Sequence, residues 1–306
     1  MKILSHGHLT PRVAALGSAS ANEAHDVLLD GKAWNGDLLS LIKACNGDSR
    51  RLSVSSASGQ SVAALAITAP LVDPTKIVAA PVNYLDHKAE MNEATHIDGL
   101  GVFLKAPSSL IGDQGVVRLP YDDRRFDQEG ELACIIGRTA RHISLQDAGS
   151  FIFGYTCLLD ITMRGGEDRS TRKSFDTFTP LGPYVVTPDE VGDLAELRLT
   201  CSVNGQIRQD AAISDLIWDF PALIKYASSV MTLQPGDIIS SGTPAGVGQI
   251  SHGDTISVSV TRVGTLTVSV DAEKATQCPT KGVNSGPVPP AELTPIRPST
   301  TARTTS

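Results

Sequence analysis

The chain has 306 residues, 41% of them hydrophobic, so it is long enough to bury a substantial core. Its net charge of -7 argues against a basic surface for nucleic acid. No apolar run is long enough to cross a bilayer, and the polar start MKILSHGHLT does not resemble a secretory signal. We therefore expect a soluble cytoplasmic protein that acts on small molecules, without a nucleic-acid or membrane partner.

The first predicted unit is a small N-terminal domain over residues 1–70, where short apolar pieces alternate with Gly, Ser and Asn. DVLLDG (26–31) predicts a strand, GDLLSLIKACNG (36–47) a helix, and SVAALAITAPL (61–71) another strand.

The second predicted unit, residues 71–275, is a series of short β-type runs separated by Gly and Pro. Asn204-Gly205 and Val263-Gly264 each separate two alternating runs and predict β-hairpins. Residues 217–231 predict a helix, with Pro221 in its first turn. The predicted fold class is mostly β (α+β), with a mixed-sheet core and a few helices.

The cysteines are five in number, scattered, and without C-x-x-C spacing. Cys134 and Cys157 lie in apolar runs typical of strands. This pattern indicates a reduced protein with buried thiols, which agrees with a cytoplasmic location.

The last predicted unit, residues 276–306, is rich in Pro, Ser, Thr and Gly. It has too few large apolar residues to offset the entropy of ordering them, so we predict a disordered tail.

Glu129 and Glu131 stand two residues apart at the start of an apolar run. In an extended strand they share one face, where each disfavours the ionisation of the other. They form either a solvated strand end or a site for a hard divalent cation. Asp160 interrupts another apolar run, so it either caps a turn or shares a metal with the glutamates.

His87 and Glu90 follow the apolar strand KIVAAPV (76–82). If a helix begins near Leu85, the two side chains lie side by side, and the carboxylate can orient the imidazole. The pair is a candidate general base, although the same spacing also suits a surface contact.

A glycine-rich loop, SSGTPAGVG (240–248), follows a predicted strand. It offers the backbone of Gly242 and the hydroxyl of Thr243 to a ligand, but it is not a phosphate-binding fingerprint. Arg164 and Lys173 are either solvated cations or groups that bind a carboxylate.

The middle and end of the chain contain, in this order, the segments NYLDHKAEM, FLKAPSSLIG, FDQEGELACIIG, GYTCLLDITMR, RKSFDTFTPLGP, VNGQIRQD and LIKYASSVMTLQPGDIISSGTPAGVG. In these segments and in their order the chain resembles the fumarylacetoacetate hydrolase family. The resemblance covers about residues 76 to 270. It implies a mixed β-sheet roll beside a small N-terminal domain, commonly assembled as a homodimer.

The resemblance also implies roles for individual residues. Mg²⁺, or else Mn²⁺ or Ca²⁺, would be bound by Glu129, Glu131 and Asp160. The implied catalytic residues are His87, Glu90 and Lys173, and we assign to substrate binding Tyr84, Arg164, Gly242 and Thr243.

The function that these roles imply is metal-dependent hydrolysis of a C–C bond in a 1,3-diketo acid of acylpyruvate or fumarylacetoacetate type. A decarboxylase, isomerase or other lyase acting on a keto acid is the alternative, and a non-catalytic diketone binder is a third possibility. The chain departs from the family at Ala80-Pro81-Val82, where relatives often have Gly, and at Glu167, where many have glutamine. Glu167 would repel a substrate carboxylate unless it faces away or pairs with Arg169.

Overall fold

The computed structural model describes residues 1–7, 12–16, 22–57, 59–282 and 285–292. The strands are β1 (Lys2–His6), β2 (Arg12–Leu16), β3 (Glu23–Leu29), β4 (Lys32–Ala33), β5 (Leu52–Val54), β6 (Gln60–Ser61), β7 (Ile67–Thr68), β8 (Ile77–Ala79), β9 (Phe103–Lys105), β10 (Leu110–Ile111), β11 (Val116–Arg118), β12 (Phe126–Gln128), β13 (Gly130–Ile136), β14 (Ile152–Leu159), β15 (Thr162–Met163), β16 (Thr179–Val186), β17 (Arg198–Val203), β18 (Gln206–Ala212), β19 (Ile238–Ser240), β20 (Gly248–Gln249), β21 (Thr255–Val260) and β22 (Gly264–Asp271).

The helices are short, and in the ranges described above none is long and apolar enough to span a bilayer. The α-helices are α1 (Leu38–Ala44), α2 (Leu85–Glu90), α3 (Ile97–Leu100), α4 (Leu145–Ala148), α5 (Arg169–Arg172), α6 (Pro188–Val191) and α7 (Phe220–Val230). Turns of 3-10 helix lie at Ser49–Arg51, Val62–Ala64, Pro107–Ser109, Gly149–Phe151, Leu194–Glu196 and Ile213–Asp215.

The strands form three sheets, and the fold is mostly β with mixed sheets, as predicted. The large sheet has the order β4-β3-β2-β1-β16-β14-β13-β19-β8-β9, with β5, β6, β7 and β10 paired at its sides. The second sheet has the order β11-β22-β21-β17-β18, and the third β15-β12-β20. Parallel pairs such as β8 with β19 stand among antiparallel ones.

The N-terminal strands are part of the large sheet. β1 pairs with β16, placing Lys2 opposite Val186. Behind this sheet, one hydrophobic cluster contains residues from both parts of the chain, among them Ile3, Ile42, Ile135 and Phe153. The division at residue 70 stays a prediction, but the two predicted units share a sheet and a core.

The predicted strand over 26–31 and helix over 36–47 correspond to β3 and α1. The predicted strand over 61–71 is wrong for its first half, because Val62–Ala64 form a 3-10 turn and only Ile67–Thr68 pair with β1. The alanines of this stretch have little side chain to pack on a pleated surface.

The two predicted hairpins are present. Asn204 and Gly205 take φ values of 52° and 77°, the left-handed pair that a two-residue hairpin requires. The second hairpin joins β21 to β22, with Arg262 at φ 64°. The predicted helix is α7, with Pro221 in its first turn and the Asp219 side chain accepting the Ala222 N–H at 2.9 Å.

β13 is buried on both faces. Alternation along the strand sends Leu132 and Cys134 into one hydrophobic cluster and Ala133 and Ile135 into the other. The strand therefore lies between two cores, and Glu131 near its start is buried with it.

The thiols are free, as expected for a reduced protein. Those of Cys45, Cys134, Cys157 and Cys201 are buried, whereas Cys278 is partly exposed. Burial raises the pKa of Cys157 and of Cys201 to about 12.

The predicted tail over 276–306 is described only in part, since residues 283–284 and 293–306 lie outside the described residues. The Cys278 N–H donates to Asp123 at 2.9 Å, and the Gly166 N–H donates to the Gly282 carbonyl at 3.1 Å. These hydrogen bonds hold the start of the segment against the body of the protein. Composition does not indicate them, and disorder in the remainder stays a prediction.

Candidate active site

Glu129 lies where the chain passes from one sheet to another. It follows β12 of the three-stranded sheet and precedes β13 of the large sheet. Asp160 lies at the matching crossing after β14, and its N–H donates to the Glu129 carbonyl at 2.8 Å. Because β13 pairs with β14 and β12 pairs with β15, the two crossings are neighbours.

Glu131 completes a cluster of three acids. One carboxylate oxygen from each of Glu129, Glu131 and Asp160 lies within 4.8 Å of the others. All three residues are at most 4% exposed, so the alternative of a solvated strand end does not hold.

Two predicted cations bind these acids directly. The Lys173 ammonium donates to Glu129 Oε2 at 2.7 Å and to Asp160 Oδ2 at 2.6 Å. Arg164 donates to Glu129 Oε1 at 2.9 Å and to Asp127 Oδ2 at 2.6 Å. Both cations are buried, so neither is the solvated residue that the sequence left open.

Lys105 is a third buried cation, and it was not among the residues predicted from the sequence. Its ammonium donates to Asp160 Oδ1 and, at 2.9 Å, to the Phe178 carbonyl. Burial lowers the pKa of Lys105, although the Asp160 charge acts against that change. The available signal was a lysine at the end of the apolar run FLK, inside a segment that resembles the family.

The three acids have different environments. Burial raises the pKa of Glu129, but the charges of Lys173 and Arg164 outweigh it and hold that pKa below its ordinary value. Glu131 accepts from the Ser240 hydroxyl and, at 3.1 Å, from the Gly242 N–H. Burial, and then the Asp160 charge, raises the pKa of Glu131 to about 8. Within the described residues Glu131 is bonded to no cation, so a metal ion would stabilise the ionised form of Glu131 more than that of the other two acids.

These donors fit a hard divalent cation. The cluster offers only carboxylate oxygens, which Mg²⁺, Mn²⁺ and Ca²⁺ accept as ligands. Both oxygens of Glu129 and of Asp160 accept from lysine or arginine. Each carboxylate has about four acceptor positions, so further lone pairs on these oxygens remain for a metal. The negative charge of the acids also has to be neutralised by cations or protons, because three buried carboxylates at this separation repel one another.

His87 and Glu90 form the predicted pair on α2, which begins at Leu85. His87 Nδ1 lies 3.0 Å from Glu90 Oε2, and the other carboxylate oxygen accepts the Gly246 N–H at 2.8 Å. The His87 side chain is 7% exposed and that of Glu90 is fully buried, so this is not a surface contact.

Parallel pairing of β8 with β19 explains why α2 and the glycine-rich loop meet, since the chain leaves both strands at the same edge. The Asn83 amide joins them, donating to the carbonyls of Ser241 at 2.8 Å and Trp218 at 2.9 Å. Next to it, the buried Tyr84 hydroxyl has no hydrogen-bond partner among the described residues. Burial, and then the Glu131 charge, raises the pKa of Tyr84.

The glycine-rich loop is fixed by its own hydrogen bonds. The Thr243 hydroxyl donates to the Gly130 carbonyl at 2.9 Å and accepts from the Gln209 amide at 2.7 Å. Gly242 has φ 81°, and a Cβ there would lie 2.9 Å from the Ala80 carbonyl oxygen. The position therefore requires glycine. The assignment of Thr243 to substrate binding stays a prediction.

Glu167 does not pair with Arg169. Its two oxygens accept from the two terminal nitrogens of Arg124 at 2.8 and 2.7 Å, and Arg169 lies 3.6 Å from Glu93 instead. The Arg124 hydrogen bonds lower the pKa of Glu167 to about 2. The acid that departs from the family pattern is thus neutralised by a buried arginine.

Most of the predicted residues line a single cleft. Its lining includes His87, Glu129, Glu131, Arg164, Lys173 and Thr243. Met91, Phe103 and Arg172 form further parts of its wall. Arg172 is a second residue that the sequence did not single out, because it stands directly beside Lys173 in a polar stretch.

The mixed β fold contains a buried three-carboxylate cluster and a His–Glu pair, and this combination defines a class of proteins with a candidate metal centre. The chain belongs to the fumarylacetoacetate hydrolase family, because residues 76–271 match the family described as fumarylacetoacetate (FAA) hydrolase C-terminal. The predicted resemblance is thereby confirmed.

Named relatives have more than one activity. A maleylpyruvate hydrolase of Aquipseudomonas alcaligenes is 43% identical over 215 residues, which is 67% of this chain and 75% of that protein. The mitochondrial oxaloacetate tautomerase of Xenopus laevis is 36% identical over 190 residues, which is 60% of this chain and 59% of that protein.

One similar solved structure contains a metal ion and a small ligand. Maleylpyruvate hydrolase from Sphingobium sp. SYK-6, in complex with manganese(II) and pyruvate, superposes with a TM-score of 0.73 at 35% identity, covering 89% of this chain and 99% of that chain. The family and the acidic cluster together support a divalent metal.

Proposed function

We propose that the protein is a divalent-metal-dependent hydrolase that cleaves a C–C bond of an acylpyruvate-type 1,3-diketo acid. The observation that carries the proposal is that Glu129 and Glu131, from the three-acid cluster, line one cleft with His87 of the His87–Glu90 pair. The similarity to maleylpyruvate hydrolases supports the same reaction class.

The metal would be held by Glu129, Glu131 and Asp160, and we propose Mg²⁺, with Mn²⁺ or Ca²⁺ as alternatives. When bound, it supplies Lewis-acid stabilisation of the enolate charge that develops as a C–C bond breaks. The oxygen-only donor set supports a hard cation.

His87 is the proposed general base. Because Glu90 holds Nδ1, the ring keeps a proton there and presents Nε2 as the nitrogen that accepts a proton from water. The hydroxide formed attacks the acyl carbonyl, and Lys173 and Arg164 stabilise the negative charge that results. The bond from that carbon to the methylene carbon then breaks, which leaves a carboxylic acid and the enolate of pyruvate, and the protonated His87 returns its proton to the enolate carbon.

The proposal is tested with protein freed of metal by a chelator. Added Mg²⁺ or Mn²⁺ is expected to restore loss of the enol absorbance of an acylpyruvate, with pyruvate as a product. Glu129→Ala should abolish metal binding, measured by calorimetry, and turnover together. His87→Ala should bind metal normally and lose about 10²- to 10⁴-fold in turnover. Absence of turnover with every metal, or full activity of His87→Ala, would contradict the proposal.

A tautomerase or isomerase is the second candidate, favoured by the 36% identity to an oxaloacetate tautomerase. It needs the same acids and a base but no attack by water. Oxaloacetate separates this candidate from the decarboxylase alternative: a tautomerase interconverts the keto and enol forms of oxaloacetate without releasing products, whereas a decarboxylase releases CO₂.

We also propose a cytoplasmic location, supported by the free thiols, and a homodimeric assembly, supported by the family resemblance. Light scattering on a sizing column measures the assembly, and a mass of one chain would contradict it.

A further inference from the structure

Arg172 is a buried cation without a hydrogen-bond partner in the described part of the chain. It is 5% exposed, and its Nε and Nη1 donate to no acceptor there. It ends α5 and lines the same cleft as His87 and Glu129. A guanidinium carries five N–H donors, and burying its charge is costly unless an anion meets it.

The other cations around the cleft already have anionic partners. Lys105 and Lys173 bind Asp160, Arg164 binds Asp127 and Glu129, and Arg169 pairs with Glu93. Arg172 has no ion pair with any described residue, so its charge is available to a ligand in the cleft.

The surroundings of Arg172 favour an anion. Burial, and then the positive charge of Arg164, lowers the pKa of Arg172, although an arginine stays charged at neutral pH. Glu93, which lines the same cleft, is neutralised by Arg169 and does not compete strongly for Arg172. Met91 and Phe103 are apolar residues of the same lining.

We propose that Arg172 binds a second carboxylate of the substrate, at the end remote from the 2-oxo acid group. The preferred substrates are then dianionic acylpyruvates that end in a carboxylate, and not acylpyruvates with a plain alkyl end. This inference rests on the proposed function. The planar fork of arginine suits a carboxylate, since two parallel N–H groups can donate to its two oxygens.

Unreactive ligands of equal chain length test the inference without turnover. The Mn²⁺-loaded protein is titrated in a calorimeter with 2-oxohexanedioate and with 2-oxohexanoate, which differ only in the terminal carboxylate. The wild-type protein is expected to bind the diacid about 10- to 100-fold more tightly than the monoacid, because the terminal carboxylate can accept charge-assisted hydrogen bonds from Arg172. Arg172→Met should bind the two ligands equally, and Arg172→Lys, which keeps the charge without the fork, should retain a smaller preference.

Arg169→Met is the matched control, because it removes a charge from the same short helix but one that Glu93 already neutralises. It should keep the preference for the diacid. Thermal unfolding in the presence of metal establishes whether each variant is folded. If Arg172→Met is not folded, the comparison is made with Arg172→Lys instead.

The outcomes separate the two proposals. Equal binding of both ligands to the wild-type protein, or an unchanged preference in Arg172→Met, overturns the role of Arg172 and leaves the proposed function standing. Binding of neither ligand by the metal-loaded wild-type protein counts against the proposed function, and the role of Arg172 falls with it.

Discussion

Glu90 connects two parts of the site through its two carboxylate oxygens. One oxygen holds His87, and the other accepts the N–H of Gly246 in the glycine-rich loop. A single side chain thereby fixes both the orientation of the proposed base and the position of a loop on another element.

Glu90→Gln tests this residue in isolation, because glutamine keeps the shape and can still accept the Gly246 N–H. Its amide cannot stabilise a protonated imidazole as a carboxylate does, so turnover of an acylpyruvate should fall by about 10- to 100-fold. Steady-state kinetics measure the loss, and an unchanged melting temperature shows that the loop is in place. Wild-type turnover in this variant would show that Glu90 does not assist His87.

Glu167 contributes stability that depends on pH. Arg124 lowers its pKa to about 2 from an ordinary 4.5. Because the folded pKa is the lower one, the contribution is fully present above about pH 4.5 and is lost as the pH falls towards 2.

We expect Glu167→Gln to reduce the free energy of unfolding at neutral pH by about 1 to 3 kcal/mol, since it leaves the buried Arg124 without its charged partner. The difference from the wild-type protein should shrink as the pH falls from about 4.5 towards 2. Denaturant titrations over a pH series measure it, and a difference that grows towards acid pH would contradict the assigned ion pair.

Several of the predicted site residues have a strong local signal, whereas the signal at Lys105 is only a lysine at the end of a short apolar run. Asp160 stands out as an acid inside an apolar run, and His87 and Glu90 have a helical spacing. Lys105 is 55 residues from Asp160 in the chain, and its partner is decided only when β9 and β14 occupy the same sheet. Contacts between distant segments depend on the assembled fold.

At the scale of elements, the glycine-rich loop approaches neighbouring backbone closely. Gly246 has φ +99°, and a Cβ there would lie 1.8 Å from the Arg208 carbonyl oxygen. Gly205, in the β17–β18 hairpin, also has a positive φ of +77°, but a Cβ there would meet nothing within 4 Å beyond its chain neighbours. An alanine at Gly205 would thus meet only the strain of a positive φ, whereas an alanine at Gly246 would meet that strain and steric overlap as well.

Gly246→Ala should therefore cost about 2 to 4 kcal/mol of stability, through strain at a positive φ and overlap with backbone. Gly205→Ala, the control, should cost about 1 kcal/mol, through φ alone. Urea unfolding compares the two. Equal losses would show that the loop can move away from β18 without a large cost.

Helices and strands were predicted correctly where the hydrophobic pattern and the capping or turn residues indicated the same element. α7 has helical spacing, a capping aspartate and a proline in its first turn, and the β17–β18 hairpin has Asn-Gly at its turn. The stretch 61–71 is apolar but rich in alanine, and the pairing of its second half depends on where β1 lies. The exchange between sheets at Glu129 could not be predicted either, because it depends on pairing with β15 and β20.

At the scale of the whole molecule, the N-terminal strands complete the core behind the site. Leu181 and Val185 of β16 belong to the same hydrophobic cluster as Ile3 and Ile42. The family match begins at residue 76, so this support comes from outside the matched region.

A fragment that starts at residue 71 should therefore expose this cluster and lose its cooperative thermal transition, because the removed residues bury large apolar side chains on β16. Calorimetry of the intact chain and the fragment measures the difference. A fragment with a sharp transition near that of the intact protein would show that residues 1–70 are an independent appendage.

The five cysteines lie in the described residues, and the one that is partly exposed, Cys278, sits next to the Arg124–Glu167 ion pair. Its sulfur lies 3.2 Å from Arg124 Nη1. A maleimide fluorophore would accordingly attach at one position of the unaltered chain, since the remaining thiols are shielded from the reagent. The emission of that dye would then report on the surroundings of the Arg124–Glu167 ion pair, without any engineered attachment point.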